Sequence, residues 1–428
     1  MSNLFLEKSY FLIQLFHSPF DFAQDYGEYN RTMVIQTLKG FRDFLPEEAR
    51  KRQYALSILK KVFLSYGFEP LETPTLEYEE ILTGKYGDEG EKLMYKFEDL
   101  GGRRVAMRYD QTVPLARVIA QYANDIPLPF KRYQIQNVWR AENTQRGRYR
   151  EFLQVDIDTV GSPSLLADAE IISLAIRGYE ALGFKNFKVK INDRSSFSNL
   201  FSDEEGKVIA RAIDKIEKVG EEKVLDELST VMGMKAANNV LQKINSQKKT
   251  ESFFKVVSYI SKFGINEDYL EFDPKLARGL DYYTGLIFEV KSDDYPAGSL
   301  GGGGRYDDLI GIFAGQKIQA VGFSFGFDRI IEAMDEQKLF EGKDLGGTRV
   351  LITNTSTRSA EVADELRNKG INTELYVDDK ELDKQLRYAD KKGIPYVLIV
   401  EENKLELKNM KTGEKEEVTL DEIAKIVK

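Results

Sequence analysis

Residues 130–161 hold a dense set of side chains able to do chemistry: Arg140, Glu142, Arg148, Phe152, Gln154, Asp156 and Asp158 all fall within FKRYQIQNVWRAENTQRGRYREFLQVDIDTVG. Residues alternate in character on either side of a basic segment near Gly147, which predicts a long β-hairpin. Period 2 then puts Arg140 with Glu142 on one face of the first strand, and Phe152, Gln154, Asp156 and Asp158 on one face of the second. A face carrying a cation, carboxylates, an amide and an aromatic ring is poor material for a core. It suits a polyanionic ligand with a flat base. Alternation alone favours a blander reading, an amphipathic hairpin whose Arg140 and Glu142 form an ordinary surface pair.

Composition narrows the chemistry. There is no cysteine and a single histidine, His17. Disulfides, thiolate zinc sites, cysteine nucleophiles and Ser-His-Asp catalysis therefore drop out, and the absence of thiols fits a reducing cytoplasm. Arg, Lys, Asp, Glu and bound ions must do the work, with no residue set expected for a dedicated metal site. At 428 residues the chain has material for two or three domains. Hydrophobic residues make up 42% and charged residues 31%, and no apolar run reaches the ~18 residues of a membrane span. A net charge of -9 means that a nucleic-acid partner would need locally basic surface.

The positioning elements follow in order. Residues 1–32 read as an N-terminal extension. Pro46, with Glu47 and Glu48 behind it, opens a helix whose stripe Ala55, Leu59, Val62, Phe63 and Tyr66 faces a core until Gly67 stops it. Leu93–Phe97 and Val105–Tyr109 flank a turn and give a second hairpin. Asp110 is either an N-cap for the helix opening at Thr112 or a ligand for a cation. A charged helical insertion is expected over about 193–271. Arg278–Gly285 reads as a loop entering a strand. Gly301–Gly304 is either a flexible loop or backbone that a ligand approaches closely, and its spacing excludes Rossmann and P-loop sites. Ala320–Ile330 reads as strand, glycine, helix. Beyond a linker at 344–348, alternating strands and helices imply a small mixed α/β domain.

In combination these segments resemble a known family. Arg140-x-Glu142, a basic loop and Arg148-x-x-x-Phe152 resemble motif 2 of the class II aminoacyl-tRNA synthetases. GRYREF, with Gln154-x-x-x-Asp158, is similar to the histidyl-tRNA synthetases in particular. Arg278-Gly-Leu-Asp-Tyr282-Tyr283 matches their histidine signature, the glycine run their second one, GFEPLETPTLEY motif 1, and Ala320–Ile330 motif 3. The resemblance implies an α+β fold: an antiparallel-sheet catalytic domain over 33–343 and an anticodon-binding domain over 344–428. It implies a homodimer that joins histidine to tRNA(His) through an adenylate, using ATP and Mg2+. Arg140 and Arg278 would sit at the α-phosphate, as the catalytic pair, and Arg148 and Arg329 at the γ-phosphate. Glu142 and Phe152 would hold the adenine. Histidine would be bound by Asp110, Thr112 and Gln154 at its ammonium, by Asp158 and Tyr283 at its ring, and by Arg278 and Tyr282. Asp110 and Asp158 stand where bacterial members often carry glutamate, and Asn143 where many carry arginine. A synthetase-like regulatory subunit of ATP phosphoribosyltransferase, the main rival, normally lacks the C-terminal domain.

Overall fold

The computed structural model describes residues 35–195, 201, 203–278 and 282–427. The extension at 1–32 and the Gly279–Asp281 centre of the histidine signature lie outside them. Among the described residues two compact units emerge: one contains those of 35–44, 63–176 and 186–330, the other those of 45–62, 177–185 and 331–427.

The first unit is built on an eight-stranded sheet. In chain order its strands are β1 (Glu69–Pro70), β2 (Phe130–Trp139), β3 (Glu151–Val160), β4 (Lys188–Asp193), β5 (Leu270–Phe272), β6 (Leu286–Lys291), β7 (Gly301–Arg305) and β8 (Ala320–Phe325). Their spatial order is β1-β2-β3-β8-β7-β6-β4-β5. All neighbours are antiparallel except at the two margins, where β1 runs parallel to β2 and β5 parallel to β4. The strand that arrives last in the chain, β8, thus fills the place between β3 and β7. The expected hairpin is β2–β3, with Arg132 opposite Asp158 and Gln136 opposite Gln154.

The glycine run, open to two readings in the sequence, is a buried strand. Crowding explains it: a Cβ on Gly303 would lie 2.0 Å from the Gly322 carbonyl oxygen, well inside any contact distance. A helix over Pro46–Ser65 ends where expected. Phe68 N donates to Phe63 O at 3.1 Å around Gly67, whose φ of 75° suits glycine. Phe63 sets its ring 5.5 Å from Tyr133 and 5.6 Å from Phe325. The second expected hairpin forms a three-stranded sheet with Leu76–Tyr78. The insertion is helical, with helices at Asp203–Ile213, Ile216–Val219, Glu221–Met232, Met234–Asn245 and Glu251–Lys262. Four of them share a core in which Ile209, Ile213, Val224, Leu228, Val240 and Ile244 are buried.

One buried ion pair ties β7 to the helix Leu165–Leu182: Arg305 Nε donates to Asp168 Oδ1 at 3.1 Å, and its Nη2 pairs with Oδ2. Removing Asp168 takes the two-oxygen partner from a buried guanidinium and leaves it Asp307 at 3.3 Å. Asp168→Ala is expected to lower stability by about 3–5 kcal/mol, measured by urea unfolding; a loss within error of zero contradicts this.

The second unit carries a five-stranded sheet in the order Thr373–Leu375, Val350–Ile352, Tyr396–Val400, Leu405–Asn409, Lys415–Glu417. Its first three strands are parallel, and the second and third bury both faces. Val350, Ile352, Leu398 and Val400 join Val362, Leu366 and Ile423 on one side, while Leu351, Val397 and Ile399 join Ala389 and Ile394 on the other. The last two strands and the helix Leu420–Ile426 were not expected from the sequence. That helix had a legible start, the Thr419/Glu422 capping box. Among the described residues no helix is long and apolar enough to cross a membrane.

Candidate functional site

A cavity of about 1420 Å³ opens over the sheet of the first unit, larger than the ~300–1,000 Å³ that suits one small ligand. Every residue named in advance lines it: Asp110, Thr112, Arg140, Glu142, Arg148, Phe152, Gln154, Asp158, Arg278, Tyr282, Tyr283 and Arg329.

The floor is set by strand register. Asp156 on β3 lies opposite Ser324 on β8, Ser324 opposite Gly302 on β7, Gly302 opposite Glu289 on β6, and Glu289 opposite Lys190 on β4. All five line the cavity. Glycine at the centre of the row leaves space for a side chain from elsewhere. Arg278 takes it: a Cβ on Gly302 would meet Arg278 Nη1 at 2.0 Å. Glu289 steadies that guanidinium from 3.3 Å. Gly322 does the same for Asp158, whose Oδ1 would lie 1.9 Å from a Cβ there.

At the turn end of the hairpin, Arg140 lies over the rings of Tyr109 and Phe152 at 4.5 and 5.2 Å. Its Nε donates to Tyr109 O at 3.0 Å. Arg148 Nη1 is 3.2 Å from Glu142 Oε2. Arg329, from the first turn of the helix Phe327–Glu336, donates to Ser299 O at 2.9 Å and to Gly147 O at 3.3 Å. Burial, then the neighbouring charge of Arg148, pushes Arg329 below the usual arginine range. A corner where cations are crowded and desolvated calls for an anion.

Carboxylates and hydroxyls gather toward Asp158. Just before Gln111, the N-cap residue of the helix Thr112–Gln121, Asp110 holds the first-turn amides. Its Oδ1 accepts from the amides of Thr112 and Val113 at 3.0 and 3.1 Å and from Tyr86 Oη at 2.8 Å, while Oδ2 is buried without a partner. Gln154 Nε2 donates to Asp156 Oδ2 at 2.8 Å, and Gln154 Oε1 is buried and unsatisfied. Burial holds the Tyr283 hydroxyl above the usual tyrosine range, so it stays protonated.

Asp158 is more engaged than its position suggests. It pairs with fully buried Arg132 at 2.8 Å and accepts a hydrogen bond from Tyr306. Arg132, Tyr306 and Glu289 are the site residues that sequence reading missed, and Asp156, placed on the right face, was given no role. The observed hairpin register is centred on Gln145 and puts Arg132 across from Asp158, whereas a register centred on Gly147 would not; Glu289 and Tyr306 needed the register of non-consecutive strands.

A family model for histidyl-tRNA synthetase matches residues 40–330, and one for an anticodon binding domain matches residues 349–428. The chain is 42% identical to a histidine–tRNA ligase of Cytophaga hutchinsonii, over 90% of this chain and 97% of that relative. It is 40% identical to one of Wolinella succinogenes, over 89% of this chain and 94% of that relative. Among solved structures, histidyl-tRNA synthetase from Nostoc sp. PCC 7120 superposes with a TM-score of 0.78 at 30% identity, covering 92% of this chain and 99% of that one. With its motif side chains gathered around one cavity and a family model spanning most of its length, the chain belongs to the histidyl-tRNA synthetase family.

Proposed function

We propose that the cavity activates histidine with ATP and that the chain then joins it to tRNA(His). The observation that carries this reading is the convergence of Arg140, Arg148, Arg278 and Arg329 on one cavity whose other end offers buried acceptors. An oxygen of the histidine carboxylate attacks the α-phosphorus, the bond to the β-phosphate oxygen breaks, and pyrophosphate leaves. A hydroxyl of the tRNA's terminal ribose then attacks the mixed anhydride and releases AMP.

No side chain needs to form a covalent bond; the work is positioning and charge stabilisation. Arg140 and Arg278 bring the carboxylate and α-phosphate together, and Arg148 and Arg329 hold the γ-phosphate. Phe152 stacks on the adenine while Glu142 accepts from its amino group. Asp110 Oδ2, Thr112 and Gln154 Oε1 take the ammonium. Asp158, fixed by Arg132 and Tyr306, accepts from one ring nitrogen and Tyr283 serves the other, with Tyr282 packed beside them. Mg2+ suits this donor set as an ion held mainly by phosphates. Among the described residues no group of three acidic or histidine ligands gathers, and Mg2+ commonly takes one or two carboxylates plus phosphate oxygens and water. Glu289 would hold it, and it would neutralise phosphate charge.

The same reading places the synthetic domain at 33–343 and the tRNA-reading domain at 344–428, in a cytoplasmic homodimer. Exchange of labelled pyrophosphate into ATP, run with each standard amino acid, tests the assignment. Exchange is expected with histidine alone; equal exchange with another amino acid, or none with histidine, overturns it.

A further inference from the structure

Asp156 has no part in the reaction just described, yet it sits in the middle of the floor. It is 3% exposed, lines the cavity and lies between Gln154 and Asp158 on the inward-facing row of β3. Its Oδ2 accepts a 2.8 Å hydrogen bond from Gln154 Nε2. That contact decides which way the amide points. An ionised carboxylate can only accept, so it faces the NH2 end of Gln154 and turns the carbonyl end away. The carbonyl oxygen of this cavity-lining residue is buried and unsatisfied, a standing cost that a donor would relieve.

We propose that Asp156 is a positioning residue that fixes the Gln154 amide so that its carbonyl oxygen receives the α-ammonium of the bound amino acid. The inference rests on the reading in which Gln154 contacts that ammonium. It has a proton linkage. The groups facing Asp156 are Arg132 and Gln134 on β2, Asp158 and Gln154 on β3, Ser324 on β8 and Asp110 before the helix Thr112–Gln121. Burial, with Asp158 and Asp110 adding to it, pushes the Asp156 carboxyl up to about 7 despite the opposing pull of Arg132 and Ser324. An arriving ammonium favours the ionised form. Binding therefore releases protons near neutrality, and histidine binding weakens as pH falls below about 7, where a protonated Asp156 no longer dictates the amide.

Steady-state exchange kinetics of the full chain test this. Asp156→Asn is expected to raise KM for histidine about tenfold, the scale of one hydrogen bond to a charged group, with KM for ATP and kcat moved about twofold or less. Asp156→Glu, which keeps an acceptor-only group, should recover most of the loss. In the Asp156→Asn, Gln154→Ala double variant the two losses should not add. Should Asp156→Asn not fold, the pH profile decides: KM for histidine should rise from pH 8 to pH 6 more steeply in wild type than in Gln154→Ala. If Gln154→Ala leaves KM for histidine unchanged, the ammonium reading itself fails. If Gln154→Ala raises it but Asp156→Asn does not, or Asp156→Asn raises both KM values alike, the role given to Asp156 is wrong. Equal pH profiles in wild type and Gln154→Ala overturn that role too.

Discussion

Arg278→Ala is expected to lower histidine-dependent pyrophosphate exchange by about 10³-fold or more, the upper end of what one preorganised donor to a developing charge supplies, with thermal unfolding little changed. Two effects act in the same direction. The guanidinium that would bridge the carboxylate and the α-phosphate is gone, and Glu289, 3.3 Å from Arg278 in the intact protein, loses that partner beside a triphosphate and keeps Lys291 at 3.7 Å. Lysine should rescue poorly, because it lacks the planar fork that spans two oxygens. Exchange by the alanine variant within tenfold of wild type would remove Arg278 from its assigned place.

The neighbouring glycines give a matched pair with opposite outcomes. A Cβ on Gly302 would stand 2.0 Å from Arg278 Nη1, the far end of a flexible side chain, and 3.1 Å from the Phe288 carbonyl. Gly302→Ala should therefore fold, displace the guanidinium and lose exchange nearly as completely as Arg278→Ala. A Cβ on Gly303 would stand 2.0 Å from the Gly322 carbonyl oxygen and 2.7 Å from the Phe323 Cα. Those atoms belong to the hydrogen-bonded neighbour strand and cannot swing aside. Gly303→Ala should cost about 3 kcal/mol or more, seen as a fall in Tm. If the first variant unfolds while the second keeps full stability, the account of the floor is wrong.

How much of this could be read from the chain alone differed by element. The hairpin from Phe130 to Val160 was legible because its period-2 pattern is long and its turn is basic and contains Gly147. The helix from Pro46 was legible because proline, acids and a terminal glycine mark both ends. The strand Gly301–Arg305 was not, since glycine has poor intrinsic strand preference and only crowding by neighbouring backbones explains it. Candidate residues came from motif order, which is silent on what each one touches. Hence Asp158 was foreseen at the cavity while its ties to Arg132 and Tyr306 were not. The last two strands of the second unit are short and polar, Leu405–Asn409 and Lys415–Glu417, with too few alternations to stand out.

Strand order has a further consequence for how the polypeptide matures. Until residues 320–325 are in place, the hairpin bearing Arg140 and Arg148 and the sheet portion bearing the Gly302 shelf have no shared seam. A nascent chain that stops short of that segment would present two open flanks to any passing strand. Ligand grip thus arrives in one late event, after some three hundred residues of synthesis have given it nothing to hold.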